Sequence, residues 1–242
     1  MTLQRIEYAE RTTSWRTPRG REALLVIRDN TSDWNTVSSV MTHDEYELRP
    51  LTLDGLAIDV GAHIGAVSIA LALDNPDLRV VAVEAIEENA DLVRRNVALN
   101  GLGDRVTVLH RAAAAPGVET ADVFWRAQGN ETVEHHAFIG NSTLVYEHGD
   151  TGHETATVAC VSLTAVMARE DARSASFLKI DCEGCEWSFL QDPAVARIAR
   201  IHGEWHNVHG HVREDVLALL PDHEVTFSGP VGGPGGFVAV RR

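Results

Sequence analysis

Lysine is almost missing from this chain: Lys179 is the only one in 242 residues. Lys plus Arg number 21 against 35 Asp plus Glu, a formal net charge of −14. A surface that acidic repels phosphate backbones and anionic lipid, so neither nucleic acid nor a membrane is the expected partner. It does not exclude a small anionic ligand in a local pocket. Alongside Ala-rich stretches, the preference for Arg reads as the coding bias of a GC-rich genome. Long apolar runs are also missing. None approaches the ~20 residues of a spanning helix, and Met1 to Gly20 has no apolar stretch of the secretory-signal kind. Cysteine is scarce, three in all, too few for a disulfide framework, which points to the cytoplasm.

What is present is ordinary for a folded protein. Apolar residues make up 44% and charged residues 23%, which excludes disorder as a description of the whole chain. No internal repeat and no linker divides the sequence, so residues 1–242 are expected to form a single domain. Residues 1–50 are its least periodic part and read as an N-terminal, substrate-side cap. Residues 51–242 read as the core, with an irregular insertion around 111–155.

The periodicity predicts strands over Ala23 to Ile27, Leu56 to Val60, Arg79 to Val83 and Val106 to Leu109. It predicts helices over Trp34 to Tyr46, Ile64 to Leu73 and Glu87 to Asn100, the last stopped by Gly101. Strands alternating with helices imply parallel strands with right-handed crossovers. Within the insertion, short strands are expected at Asp122 to Trp125 and Thr143 to Tyr146, amid loops carrying His135, His136, His148 and His153. The rhythm resumes with strands over Thr157 to Val161, Phe177 to Ile180 and Ile198 to Trp205. Helices are expected over Leu163 to Ala168, Cys185 to Leu190 and Val212 to Leu220. At the end, His223 to Phe227 and Gly236 to Val240 are joined by a Gly/Pro-rich link with no room for a helix, so they form an antiparallel pair.

Three stretches carry chemistry. In Asp59-Val-Gly61-Ala62-His63-Ile-Gly65 a buried strand turns through glycines into a helix. Such a turn lets backbone approach a ligand and offers it free N–H groups. Glu84 ends the next strand, where a carboxylate accepts hydrogen bonds from ribose hydroxyls. The dinucleotide fingerprint G-x-G-x-x-G is not met, because His63 stands where its middle glycine would be. Asp59, two residues before the first glycine, suits an ammonium. A ribose, an ammonium and no phosphate describe S-adenosyl-L-methionine.

Here the chain resembles the FkbM-type class I S-adenosylmethionine-dependent methyltransferases, from about Val26 to Arg242. The resemblance rests on Arg28 to Thr36, Asp44-Glu-Tyr46, Ile58 to Gly65, Val83-Glu84, Asn96 to Asn100 and Phe177-Leu-Lys-Ile-Asp-Cys-Glu-Gly-Cys-Glu186. One departure is His63, where the family more often has Asn. The resemblance implies a Rossmann-like α/β fold: a seven-stranded, mostly parallel sheet with an antiparallel last strand and helices on both faces. It also implies methyl transfer to oxygen on a small natural product, sugar or carboxylate. The cofactor residues expected are Asp59, Gly61, Ala62, His63, Gly65, Glu84 and Asp181.

The second stretch is Asp181-Cys-Glu183-Gly-Cys-Glu186, with three carboxylates in six residues. Asp181 ends a strand beside the expected ligand crevice, where it can orient a hydroxyl, take its proton or bind a divalent ion. Glu186 reads as a cap or a solvated residue. Cys182 and Cys185 lack the second pair a zinc site wants and the context of a redox motif. In Ile201-His-Gly-Glu-Trp-His-Asn-Val-His-Gly-His211, strand alternation puts His202, Glu204 and His206 on one face. Glu204 and His206 then end the strand beside Asp181. Neutral imidazole is a suitable base, imidazole with carboxylates can hold a metal, and a solvated loop explains the histidines equally well. The expected catalytic residues are Asp181, Glu204 and His206, with no metal assigned. A dinucleotide-linked oxidoreductase and a non-catalytic nucleoside-binding module remain the alternatives.

Overall fold

The computed structural model describes residues 8–125, 154–208, 210–229 and 235–242. It begins with an antiparallel hairpin, Glu10–Arg16 (β1) and Glu22–Arg28 (β2), followed by a helix at Asp33–Met41 (α1). Next come Gly55–Val60 (β3), Ala66–Asp74 (α2), Leu78–Glu84 (β4), Glu87–Leu99 (α3) and Val106–His110 (β5). Three strands flank the insertion: Ala112–Ala113 (β6), Thr120–Trp125 (β7) and Glu154–Val161 (β8). The second half holds Leu163–Arg169 (α4), Phe177–Ile180 (β9), Glu186–Phe189 (α5), a 3-10 turn at Pro193–Arg197 and Arg200–Trp205 (β10). It closes with Arg213–Leu219 (α6), His223–Phe227 (β11) and Gly235–Arg241 (β12).

Seven strands form the main sheet in the order β11-β12-β10-β9-β3-β4-β5. β3 and β9 are apolar runs buried on both faces, as parallel strands between helical layers must be. All neighbours from β10 to β5 pair in parallel, while β12 is antiparallel to both β10 and β11. Chain order runs outward to β5 on one side of β3 and outward from β9 on the other. The crevice at the carboxyl ends of β3 and β9 is therefore the topological switch point, where open α/β sheets bind ligands.

One apolar core packs α1, α2, α3 and the N-terminal hairpin on one face of the sheet; the other packs α4, α5 and α6 on the opposite face. The hairpin is fastened through two asparagines one turn apart, Asn96 on α3 and Asn100 at its C-cap. Asn96 exchanges hydrogen bonds with the backbone N–H and C=O of Val26, and Asn100 does the same with Leu24. Their amides imitate a neighbouring strand along the edge of β2, which keeps that edge satisfied.

Several expectations shift. β1 escapes sequence periodicity because Glu-Arg-Thr-Thr-Ser-Trp-Arg carries almost no apolar alternation. α1 stops at Met41 instead of Tyr46, and the residues beyond it turn back toward the sheet through Asp44 and Glu47, both at positive φ. The insertion adds a three-stranded sheet, β6-β8-β7. The strand expected at Thr143 to Tyr146 and the histidines at 135, 136, 148 and 153 lie outside the described residues. Among the described residues, no helix is long and apolar enough to cross a membrane.

Candidate active site

A cavity at the switch point is lined by Gly61, Ala62, His63, Glu84, Lys179, Asp181, Glu183 and Tyr46, among others. Its floor is the turn after β3. Gly61 has φ +75°, and a Cβ there would stand 1.8 Å from the Asp181 carbonyl oxygen. Glycine is required because two strand ends nearly touch. Gly65, at φ +93°, caps α2, and its missing Cβ faces Val93 on α3 at 3.1 Å. Gly65 thus serves helix packing and is not among the cavity-lining residues.

Glu84 is buried at the end of β4. One carboxylate oxygen accepts the His63 N–H at 2.7 Å and the other the Ile86 N–H at 2.9 Å. Burial raises its pKa in spite of those bonds. The Asn89 amide reaches the same oxygen as Ile86 at 3.5 Å, but a carboxylate offers about four lone-pair sites, so the oxygen bonded to His63 can still accept from a ribose hydroxyl, and the residues fit the cofactor. His63 adopts φ +52°, a left-handed conformation that Asn and His tolerate better than most residues. Its Nε2 lies 3.0 Å from Asp33, which is also paired with Arg28. Burial opposes ionisation of Asp33, but His63 and Arg28 outweigh it and hold the carboxyl well below its usual range. The N-terminal segment thereby grips the turn that faces the ligand.

Asp59 is the residue expected to face the cofactor's ammonium. It is fully buried under the turn, accepts the Ser68 hydroxyl at 2.6 Å and lies 3.6 Å from Lys179 Nζ. It is not among the cavity-lining residues, and its second oxygen, Oδ1, has no hydrogen-bond partner. Lys179 donates to the carbonyls of Gly61 at 2.7 Å and Val60 at 3.3 Å. The only lysine in the chain is thus a buried clamp across β9 and the glycine turn. A lone charge inside the apolar run Phe-Leu-Lys-Ile was the sequence signal for it, more telling than coding bias.

Asp181, Glu204 and His206 come together at the ends of β9 and β10, with one ligand atom from each inside a 4.8 Å spread. His206 is held from two sides: Nδ1 lies 3.1 Å from Glu186 and Nε2 lies 3.2 Å from Glu183. Burial lowers its pKa, yet the bond to Glu186 and the charges of Glu186, Glu183 and Asp181 prevail and raise it to about 9. The imidazole is therefore protonated near neutrality, in contrast to the neutral base expected from sequence. Glu204 moves the other way for a carboxylate. Burial, then repulsion from Asp181 and Glu45, lifts it to about 7. Glu183 rises to about 6, from burial and from Asp181 and Glu186 against the opposing His206 charge.

Glu186 is neither solvated nor a cap. It is 1% exposed and also accepts the backbone N–H of Gly184 and of His206. His202 leaves the site: it is buried against the Phe177 ring, and its Nδ1 meets the Tyr46 carbonyl. Cys182 and Cys185 are joined in a disulfide, a pairing that the sequence by itself does not assign. Positive φ at Glu183 and Gly184 folds the intervening turn back, leaving their Cα atoms 5.4 Å apart. Sequence reasoning also missed Tyr46 and Glu45, which arrive from the turn after α1. The Tyr46 hydroxyl donates to Asp181 at 2.7 Å.

Residues 59–226 match the Methyltransferase FkbM domain family. The O-methyltransferase imqG of Aspergillus flavus is 33% identical over 79 residues, 32% of either chain. The ribosomal RNA small subunit methyltransferase G of Frankia alni is 40% identical over 62 residues, 26% of this chain and 24% of that one. These matches span about a third or less of the relatives' lengths. Among solved structures, precorrin-6y C5,15-methyltransferase from Geobacter metallireducens GS-15 aligns with a TM-score of 0.50 at 12% identity, over 89% of this chain and 93% of that one, a likeness of fold. With the family match running from the glycine turn through the carboxylate cluster to β11, the chain belongs to the FkbM methyltransferases, and its cofactor is S-adenosylmethionine.

Proposed function

We propose that the protein transfers a methyl group to a hydroxyl oxygen of a small neutral or cationic acceptor, such as a sugar or another natural product. The observation that carries this reading is the convergence of Asp181, which lines the cavity with the glycine turn, and Glu204 and His206 beside it at the adjoining strand end. S-adenosylmethionine, when bound, supplies a methyl on a good leaving group. Gly61, Ala62 and His63 would hold it along the turn and Glu84 at its ribose. The remaining task is to align the acceptor, exclude water and remove one proton.

Glu204 suits the proton. With a pKa of about 7 it is largely ionised just above neutrality and still basic enough to accept. Asp181, with one oxygen engaged by Tyr46, orients the hydroxyl through the other. Protonated His206 offsets part of the surrounding negative charge. Glu45, Asp181, Glu183 and Glu204 crowd the site, which disfavours an anionic acceptor and makes a carboxylate the weakest of the acceptors considered. The formal charge of −14 likewise opposes RNA, in spite of the likeness to a ribosomal RNA methyltransferase.

The test is incubation with methyl-labelled cofactor and a panel of polyols, amino sugars, phenols, carboxylic acids and a ribosomal RNA transcript. Label entering hydroxyl compounds, and lost in Glu204→Gln, supports the reading. Label entering only the transcript or only carboxylates overturns it.

A further inference from the structure

Among the described residues, Asp181 receives a side-chain hydrogen bond from one group, the Tyr46 hydroxyl, and the two are 135 positions apart in sequence. Lys179 stands near but does not compete: its Nζ is 4.0 Å from the same carboxylate oxygen and is engaged by the Gly61 and Val60 carbonyls. Tyr46 lies outside the 59–226 family match. It is delivered by a turn built for the purpose. Asp44 and Glu47 sit at positive φ, and the Asp44 carboxylate accepts the N–H of Leu48 at 2.7 Å. The Tyr46 carbonyl is tied to buried His202, and its ring lies 5.3 Å from Lys179 Nζ. Main chain, ring and hydroxyl are each held by a different partner.

We propose that Tyr46 is a positioning residue for methyl transfer, whose hydroxyl sets the orientation of the Asp181 carboxylate toward the acceptor. A carboxylate with one oxygen bonded to a fixed donor cannot swing, so its free oxygen is presented in one direction. Burial and the adjoining Asp181 charge push the phenol well above its ordinary pKa, so it stays a donor throughout the working range. The proposal rests on the reading of Asp181 given above, and the experiment separates the two.

Tyr46→Phe removes the hydroxyl and leaves the ring on Lys179 and the carbonyl on His202. Loss of a hydrogen bond to a charged group should lower kcat about tenfold or more, with cofactor affinity by calorimetry unchanged. In an Asp181→Asn background the same substitution should have almost no further effect on kcat, because its route is through Asp181. A second measurement needs neither turnover nor a Tyr46 variant. Ultraviolet titration of the tyrosinate in ligand-free protein should show the most resistant tyrosine becoming easier to ionise in Asp181→Asn.

Wild-type kcat in Tyr46→Phe, alongside a slow Asp181→Asn, overturns the positioning role and leaves the functional reading standing. Equal losses from Tyr46→Phe in both backgrounds assign the residue to packing and also overturn it. Wild-type turnover in Asp181→Asn overturns both. If Tyr46→Phe does not fold, an unchanged tyrosine titration in Asp181→Asn still overturns the proposal.

Discussion

Glu186 holds His206 twice through one oxygen: Oε1 accepts the His206 backbone N–H at 2.8 Å and lies 3.1 Å from its ring Nδ1. The buried carboxylate therefore fixes both where the residue sits and what charge it carries. Glu186→Gln keeps the shape and removes the charge. The His206 pKa should then fall from about 9 toward its ordinary 6.5, as read by nuclear magnetic resonance titration of the ring. A value still near 9 would mean Glu183 and Asp181 suffice.

The same shift makes stability depend on pH. The folded pKa of His206 lies above the unfolded one, so its contribution is complete below about 6.5 and is lost as the pH rises through about 9. At full size this is about 3 kcal/mol. Glu204 and Glu183, raised to about 7 and about 6 from 4.5, also cost stability as they ionise with rising pH. Urea unfolding should show stability declining from about pH 5 to pH 9, with a flatter decline in His206→Gln. A rise over that interval contradicts the assignment.

The proposed role of Glu204 as base predicts a rate profile. If it takes the proton, kcat should climb with an apparent pKa near 7, and Glu204→Gln should slow turnover by about 10²–10⁴-fold with cofactor affinity unchanged. Chelator should leave activity intact, because both ring nitrogens of His206 face carboxylates and the imidazolium has no lone pair for a metal. Activity lost to chelator and restored by a divalent ion would move these residues into a metal site.

Glu84→Ala should weaken cofactor binding at least tenfold, since charged hydrogen bonds contribute about 1.5–3 kcal/mol each. The loss includes a second part, because Glu84 also holds the His63 and Ile86 N–H groups. Glu84→Gln, which keeps a carbonyl acceptor, should fall between the variant and the parent. Calorimetry showing equal affinity for all three would remove Glu84 from the site.

Gly61→Ala should abolish cofactor binding and lower stability by about 3 kcal/mol or more. The new Cβ would stand 1.8 Å from a backbone oxygen of Asp181, so β3 and β9 must separate at the point where the cavity is built. Gly65→Ala is milder, because Val93 is a side chain that can give way. Equal melting temperatures for Gly61→Ala and the parent would contradict the close approach.

Much of the fold lies in contiguous residues. An apolar run ending in Asp-Val-Gly, a helix apolar on nearly every face, a second run ending in Glu84 and a Gly-rich link between the last strands are local patterns, and chain sterics turn each into one element. Strand alternation in one short segment likewise brings Glu204 and His206 to the end of β10, beside Asp181 on the neighbouring strand. Direction and charge were not local. Asp59 turns inward because Ser68 and Lys179 wait there. His206 is protonated because carboxylates from another element surround it, and Tyr46 enters the site across 135 residues. Periodicity determines which elements form and which faces they bury. The partners of a buried polar group, and hence its charge and its role, come from packing between elements distant in sequence, which only the tertiary structure decides.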